Sequence, residues 1–361
     1  MQALYSYEKC RGANVQLALD LIAESFAPDL NSMEKQDKPK LLGKQKLAQS
    51  LFLDEVNDKT PEDEVVPPEI KTVLSKAREF YRNKNKKDFD NISLQSQIDA
   101  EKVYEQYLML LQLLVELATK FPEDSNFHKN KAIKVLAASK ELEYQCLRKS
   151  VNWESERANV NKIYNEALKK NLHVREYEEK INRTFEEELA IVKYVIKNVL
   201  LKHEVCHEIF EKTNLYWEED REILRTMLFH TFNDFVELST VNIEVLDDVW
   251  EESKSFLKVL FTKSVHEEKE LMSYLVPFLR NWDFERIVET DRILLKMAAA
   301  ELIHFPSIPV KVTINEIIEI AKNFSSQKSG QFVNGVLDSL IKDLTAKDII
   351  KKTGRGMIDN K

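Results

Sequence analysis

The apolar residues of this chain recur at the spacing of an α-helix almost from end to end. The longest such segment runs from Leu94 to Phe121, places Val103, Leu110 and Leu114 on one face, and is stopped by Pro122. Further helical patterns lie at about 14–26, 129–149, 155–171, 175–202, 218–237, 242–263, 266–278, 285–304, 313–324 and 329–345. The pattern therefore predicts an all-α fold.

One segment between these helices has a different composition. Residues 31–69 contain the polar run NSMEKQDKPK and the acidic, proline-rich run DKTPEDEVVPPE. Proline and dense like charge both disfavour a packed helix. We therefore predict a long flexible loop at 31–69.

The glycine content narrows the range of functions. The 361 residues include six glycines, whereas average usage would give about 25. Phosphate-binding loops and tight hairpins depend on glycine at positive φ, and the chain has no G-x-G-x-x-G, Walker or G-x-S-x-G motif. These absences disfavour a nucleotide-binding α/β domain, and we predict no cofactor.

Charge and cysteine usage favour a reduced cytoplasmic setting. The net charge is −8, and no apolar run approaches the ~18 residues of a membrane span. The start MQALYSYEKC lacks the basic and apolar segments of a secretion signal. Cys10, Cys146 and Cys206 are far apart and odd in number. We therefore expect a cytoplasmic protein that does not bind a membrane.

The motif HEVCH matches the zinc-binding pattern H-E-x-x-H. On a helix, His203 and His207 would share one face and could bind zinc, with Glu204 as general base. The sequence offers no distinctive third ligand. A solvated, charged helix without any metal would also have these residues. A zinc metallopeptidase is therefore the alternative to a protein without enzymatic activity.

Three basic segments contrast with the negative net charge. The first, Lys76–Asp88, combines six cations with two aromatic residues, a composition that suits RNA binding and also a solvated helix end. The second is the tail KDIIKKTGRGMIDNK. The third is a group of lysines around the last two helices: Lys311, Lys322 and Lys328. Residues 310–361 carry nine Lys or Arg and six Asp or Glu, a net charge of +3, which suits a surface that contacts phosphates.

Two features of the last helical patterns need an explanation. Asp291 lies on the apolar face of 285–304, where a carboxylate must be paired inside the protein or meet a partner at an interface. Both alternatives remain open. Gly335 lies in the middle of a helix, where it costs about 1 kcal/mol relative to alanine, so we expect another helix to pack against it.

Thr313 and Glu316 fit a capping box that would start the pattern 313–324.

The stretch 281–340 resembles the NusB family of bacterial transcription antitermination factors. The resemblance rests on the order AAAEL…P-x-IP-x-KV-x-INE-x-IE-x-AK-x-F…S-x-x-FVNGVLD. The segment QALYSYEK resembles the end of the family's first helix, and residues 242–280 resemble its middle helices. The residues between them resemble the long form of Bacteroidetes-type NusB proteins, in which a large helical region is inserted after the first helix.

The resemblance implies a domain organisation and a function. Residues 1–11 and 236–350 would form a NusB-like RNA-binding helical bundle. Residues 12–235 would be a helical insertion, including the loop, and 351–361 a basic tail. Such a protein would bind boxA-type RNA together with NusE, a small-subunit ribosomal protein, in the RNA polymerase elongation complex on ribosomal RNA operons. It would have no enzymatic activity.

The resemblance also implies the contact residues. Tyr5 and Asp291 would face NusE. The residues facing RNA would be Lys311, Lys322, Phe324, Lys328, Ser329, Gly330, Gln331 and Phe332. Lysines would contact phosphates and aromatic rings would stack on bases. Ser329 would cap the last helix, and Gly330 behind it would leave room for RNA to approach backbone N–H groups.

Two departures from the family bear on RNA binding. The family's arginine-rich segment precedes the first helix and has no counterpart before Met1, so we expect Met1 to be an internal methionine of a longer gene product. Lys328 stands where many members have an acidic residue, and this reversal favours RNA. A NusB-like module of an rRNA cytosine methyltransferase is a third alternative, which would need the glycine-rich cofactor domain that the composition disfavours.

Overall fold

The computed structural model describes residues 1–29, 31, 36–59, 66–212, 214–233, 235, 241–245, 248–279, 287–326 and 328–358. In these ranges all regular secondary structure is helical, with 15 α-helices and no strand. The predicted all-α fold is confirmed.

The chain forms two compact units. Unit 1 comprises Met1–Gln97 and Lys254–Lys361, and unit 2 comprises Ile98–Ser253. The helices that contribute to unit 1 are α1 (Gln2–Ser25), α2 (Lys38–Val56), the first part of α3 (Pro68–Ala118), most of α11 (Asp248–His266), α12 (Glu268–Leu279), α13 (Glu289–His304), α14 (Val310–Phe324) and α15 (Ser329–Ala346).

Helix α13 is the centre of unit 1. Every residue from Ile293 to Leu302 is buried, and the helix packs against α1, α12, α14 and α15. A helix that is buried all round needs apolar or small side chains on every face, which the sequence ILLKMAAAEL supplies apart from Lys296 and Glu301. Both of these buried charges have partners within unit 1.

Helix α1 contributes to two separate cores of unit 1. Near its start, Leu4 and Tyr7 pack with the helices around α13. Near its end, Ala18 and Ile22 pack with α2 and with the first turns of α3. The predicted helix at 14–26 and the predicted end of a first helix at Gln2–Lys9 are therefore parts of one continuous helix.

Unit 2 has its own core, formed by the second part of α3 and seven further helices. These are α4 (Lys131–Ala137), α5 (Lys140–Arg148), α6 (Arg157–Ile163), α7 (Leu172–Glu178), α8 (Phe185–Val195), α9 (Glu204–Glu211) and α10 (Trp217–Asn233). Single π-helical turns at Tyr164–Leu168 and Ile196–Leu200 extend α6 and α8. In the core of unit 2, the hydroxyl groups of Tyr107 and Thr231 are 2.6 Å apart.

The predicted flexible loop at 31–69 is wrong for its middle part, where α2 forms. The side chain of Asp37 caps this helix by accepting from the Lys40 N–H, and proline in the first turn does not disturb it. Ala48 and Phe52 then bury one face of α2 against α1 and α3. Residues 32–35 and 60–65 of the predicted loop lie outside the described residues.

The two compact units divide the chain at other places than the predicted domains. The chain passes from one unit to the other between residues 97 and 98 and between residues 253 and 254. The predicted boundaries lie instead between residues 11 and 12, 235 and 236, and 350 and 351. A compact unit does not show which residues a family shares, so the predicted insertion at 12–235 stays a prediction.

The described part of the basic tail packs on the turn between α13 and α14. The Thr353 N–H donates to the Pro306 carbonyl at 2.9 Å, and Lys352 donates to the Phe305 carbonyl at 3.0 Å. Gly356 approaches so closely that a Cβ there would lie 2.1 Å from the Pro306 oxygen. Residues 351–358 are therefore a docked strap, and the predicted basic tail at 351–361 stays a prediction as a domain boundary.

The predicted capping box at the start of α14 does not form. The helix begins three residues earlier, at Val310, with Pro309 as its N-cap. Thr313 is fully buried and its hydroxyl donates to Glu301 at 2.7 Å. Burial raises the pKa of Glu301, against the opposing effect of this hydrogen bond. The capping pattern was misleading because Thr313 serves a buried acceptor from another helix.

Candidate nucleic-acid interface

The end of α14 meets the start of α15 in a cluster of hydroxyl groups. The Ser325 hydroxyl donates to the Asp291 carboxylate at 2.7 Å. Ser329 lies 2.8 Å from the Ser325 hydroxyl and 2.8 Å from that of Ser326. The Thr290 hydroxyl donates to Ser325 at 3.2 Å.

The donors in this cluster can be assigned because each hydroxyl has one proton. Ser325 uses its proton on Asp291, so Ser329 must donate to Ser325. The proton between Ser326 and Ser329 then belongs to Ser326. The hydrogen bonds therefore run in one direction, Ser326 to Ser329 to Ser325, and end on the carboxylate of Asp291. This chain fixes the turn that joins α14 to α15.

Asp291 is paired inside the protein. Its exposed fraction is 4%, and its partner Ser325 comes from the turn after α14. Of the two alternatives that the sequence left open, the structure therefore shows the internal pair. The predicted contact of Asp291 with NusE stays a prediction. Sequence reasoning missed Ser325 and Ser326, although the run SSQKS is the signal that could have suggested them.

Most of the predicted RNA-facing residues lie together at this junction. Lys322 and Gly330 are neighbours, because a Cβ on Gly330 would lie 3.7 Å from the Lys322 Cγ. Lys328 and Gln331 are exposed beside them. Lys311 is exposed at the other end of α14, about 16 Å away along the helix axis. The junction therefore gathers all of the lysines except Lys311.

The start of α15 differs from the prediction in two respects. Lys328 occupies the N-cap position without a side-chain cap, and Ser329 is the first helical residue, with its hydroxyl engaged in the chain of hydrogen bonds. Gly330 is buried, and a Cβ there would be in ordinary van der Waals contact with Lys322 and Ile318; the approach of RNA to the backbone at Gly330 stays a prediction. The Ser329 N–H donates to the Ser326 carbonyl at 2.9 Å, whereas the next two N–H groups have no carbonyl partner within the helix and lie at its positive end.

The aromatic and mid-helix positions have distinct surroundings. Phe324 is half-buried at the end of α14, whereas Phe332 packs partly against the core around α13. Gly335 is exposed, and a Cβ there would meet nothing within 4 Å. The expectation that another helix packs against Gly335 is therefore wrong.

Tyr5 lies on the surface of α1, near the start of α13. Its side chain is 37% exposed, and the Lys9 ammonium lies 4.9 Å from the centre of its ring. Lys9 also forms an ion pair with Glu289, two residues before Asp291. An exposed aromatic ring held in this way is available to a partner.

A buried charge cluster joins α1, α12 and α13. Lys296 is 3% exposed and donates to Glu8 at 2.6 Å and to Glu268 at 2.8 Å. Arg11 also pairs with both carboxylates. Burial acts to raise the pKa of Glu268, but the Arg11 hydrogen bond and the charge of Lys296 outweigh it and hold that pKa at about 2. This cluster orients α1, which carries Tyr5.

The HEVCH segment does not have the geometry of the zinc motif. His203 lies outside the helix as the N-cap of α9, and its Nδ1 accepts from the Val205 N–H. His207 lies within α9, and its Nε2 is 2.9 Å from Glu218. The described residues contain no group of three or more His, Cys, Asp or Glu side chains placed to hold a metal ion.

Comparison with known proteins points to the family that the sequence resembles. The NusB family model matches residues 218–342. The transcription antitermination protein NusB of Salinibacter ruber is 41% identical over 106 residues, 29% of this chain and 66% of that protein. The protein of the same name from Chloroherpeton thalassium is 33% identical over 116 residues, 32% of this chain and 54% of that protein.

A third relative is covered more completely. The transcription antitermination protein NusB of an Exiguobacterium species is 40% identical over 93 residues, 26% of this chain and 73% of that protein. The chain thus spans 66% and 54% of the length of the first two relatives. No solved structure matches the chain significantly. Among the described residues, no helix has the length and apolar character needed to cross a membrane.

Proposed function

The chain belongs to the NusB family, and on that basis we propose that it is a transcription antitermination factor without enzymatic activity that binds boxA-type RNA together with NusE. In this role it assists the RNA polymerase elongation complex on ribosomal RNA operons. The observation that carries the proposal is the junction of α14 and α15, where exposed lysines surround a rigid turn next to the positive end of a helix.

The chemistry of this junction suits single-stranded RNA. Lys322 and Lys328 are exposed and contact phosphates, which releases counterions and makes binding depend on salt. The N–H groups of Gly330 and Gln331, in the first turn of α15, add donors for a phosphate oxygen. Phe324 is half-buried and offers a ring edge or face to an unstacked base. Lys311 contacts the RNA further along α14. Phe332 packs beneath this surface, against the core around α13.

NusE binds on the side of α1 and the start of α13. Tyr5 supplies an exposed aromatic ring, and Lys9 and Glu289 beside it are an exposed ion pair. Asp291 takes part through the position of its helix, since its carboxylate is already used by Ser325. Because Ser325 also joins α13 to the RNA-facing turn, binding of NusE at the start of α13 stabilises the RNA-binding geometry.

A gel-shift titration tests the proposal. The protein is titrated into boxA-type RNA and into a scrambled RNA of equal composition, at low salt, with and without NusE. We expect a preference for boxA that NusE strengthens and that salt weakens. Equal affinity for the two RNAs in the presence of NusE would show that the proposed function is wrong.

A further inference from the structure

Unit 1 contains a pocket that none of the residues assigned to RNA lines; of the residues placed on the NusE side, Glu289 lies on its rim. It is bounded by α1, α2, α3, α12 and α13 and encloses about 680 Å³. Apolar side chains from four of these helices line it: Val15, Phe52, Val56, Met272 and Ile293. The pocket has room for a planar group with apolar faces.

The rim of this pocket is charged, and most of its charges are paired. Arg78 donates to Glu55 at 2.6 Å, and Lys269 pairs with Asp58 at 2.5 Å. Arg82 is different. It is exposed on the rim and forms no ion pair or hydrogen bond with any residue that the structure describes.

Helix α3 continues from Arg82 into a run of cations. Lys86 lies one turn after Arg82 on the same side of the helix, and Lys87 follows it. Both are exposed, and neither pairs with a carboxylate within the described ranges. Glu79 and Asp90 lie about one turn before and after this run. The three cations Arg82, Lys86 and Lys87 are the α3 run.

The α3 run is held in place by contacts of neighbouring residues on the same helix. Asn14 of α1 donates to Asn85 at 2.9 Å and to Asp88 at 2.7 Å, which turns the one acidic residue next to the run inward. Phe89 stacks on Phe261 with ring centres 5.1 Å apart. The cations are therefore presented from a fixed backbone, which reduces the entropy lost when they bind a ligand.

Of the two aromatic residues of this segment, Tyr81 lines the pocket and Phe80 does not. Tyr81 lines the pocket and meets Phe52 edge to face, with ring centres 5.7 Å apart. The Lys84 ammonium lies 5.8 Å from the ring centre of Phe80. An aromatic group that enters the site would therefore contact the rings of Tyr81 and Phe52 inside the pocket.

We propose that the pocket and the α3 run form a second RNA site, which takes a nucleotide outside boxA. The phosphates contact the α3 run, and one unstacked base enters the pocket between Tyr81 and the apolar floor. Unpaired cations that track a backbone and an aromatic pocket for a base are the two elements of single-strand recognition. The proposal rests on the proposed RNA binding and extends it to sequences that flank boxA.

Two variants separate the two parts of this site. Arg82→Glu/Lys86→Glu/Lys87→Glu reverses the α3 run at exposed positions. Gly12→Phe fills the pocket, because Gly12 lines it and a Cβ there would meet nothing within 4 Å. The matched control is Lys134→Glu/Lys169→Glu/Lys170→Glu, three exposed lysines of unit 2 with the same change in charge.

Each protein is titrated with boxA RNA alone, boxA RNA with single-stranded flanks, and a scrambled core with the same flanks. We expect the flanks to tighten binding by the wild type and by the control, on the order of tenfold at 0.1 M salt for three phosphate contacts. The α3-run variant loses this gain, and Gly12→Phe loses part of it.

Retention of the flank-dependent gain by the α3-run variant would overturn the proposal. An unchanged gain in Gly12→Phe would overturn the placement of a base in the pocket. The RNA with the scrambled core measures how much the flanks contribute to affinity when boxA is absent. Failure of this second site is thereby distinguished from failure of boxA recognition.

Discussion

The carboxylate of Asp291 accepts a hydrogen bond from the hydroxyl of Ser325 at 2.7 Å, across the buried contact between α13 and the turn after α14. The same hydroxyl accepts from Ser329, the first residue of α15. One buried carboxylate thus holds three helices of unit 1 at the point where the candidate RNA surface begins. The free energy that this hydrogen bond contributes to folding can be measured, because Asp291 and Ser325 can each be replaced separately.

Asp291→Ala is expected to destabilise unit 1 by about 1–3 kcal/mol, because it leaves the half-buried hydroxyl of Ser325 without its acceptor. Ser325→Ala should cost a similar amount, and the double variant less than the sum of the two. Hydrogen exchange of α13 amides measures the effect, with α8 of unit 2 as internal control. Additive losses would show that the two side chains do not interact.

Exposed lysines of the junction are expected to set the salt dependence of RNA binding. Lys328→Ala removes one phosphate contact, which should reduce the slope of log K against log salt by about 0.7 for a single strand. The control is Lys342→Ala, which removes an exposed lysine further along α15 that pairs with Asp338. Equal slopes for the wild type and Lys328→Ala would remove Lys328 from the interface.

The sequence was sufficient to predict those helices whose apolar periodicity is strong and whose ends are clearly marked. Helices α13 and α15 begin and end within a few residues of their predicted bounds. The predicted helix at 129–149 is two helices, because the Ser139 side chain caps a new start at Lys140. Helix α2 was missed because its polar surface resembles a loop, and its burial depends on Phe52 meeting two other helices.

The candidate site was harder to predict from the sequence, because the contacts that form it join residues that are far apart along the chain. Asp291 and Ser325 are 34 residues apart, so the burial of the carboxylate could be expected but its partner could not be identified. Lys311 and Lys322 lie on one helix but at opposite ends of it. For Gly335, the composition suggested a packing role, whereas the structure shows an exposed helix position.

Gly335→Ala is expected to stabilise α15 by about 1 kcal/mol, because alanine has the higher helix propensity and its Cβ enters open space. Gly356→Ala should have the opposite effect and release the strap at 351–358, since its Cβ would lie 2.1 Å from the Pro306 oxygen. Amide exchange reports both changes, at α15 and at the Thr353 N–H. An unprotected Thr353 in the wild type would contradict the docked strap.

Acid is expected to weaken unit 1 through Glu268. Its pKa is about 2 in the folded protein and 4.5 in the reference state, so the charged form stabilises the fold above about pH 4.5. This contribution, on the order of 3 kcal/mol, is lost as the pH falls from 4.5 towards 2. It appears as faster exchange of α13 amides, after correction for the intrinsic rate at each pH.

Glu268→Gln isolates this contribution, because it keeps the shape of the side chain and removes the charge beside Arg11 and Lys296. The variant should be less stable than the wild type at pH 7 and should lose less stability between pH 4.5 and pH 2. Glu270→Gln on the same helix is the control, since Glu270 is exposed and contacts Tyr274 instead of the buried cluster. Parallel pH profiles for Glu268→Gln and the wild type would show that another carboxylate governs the acid response.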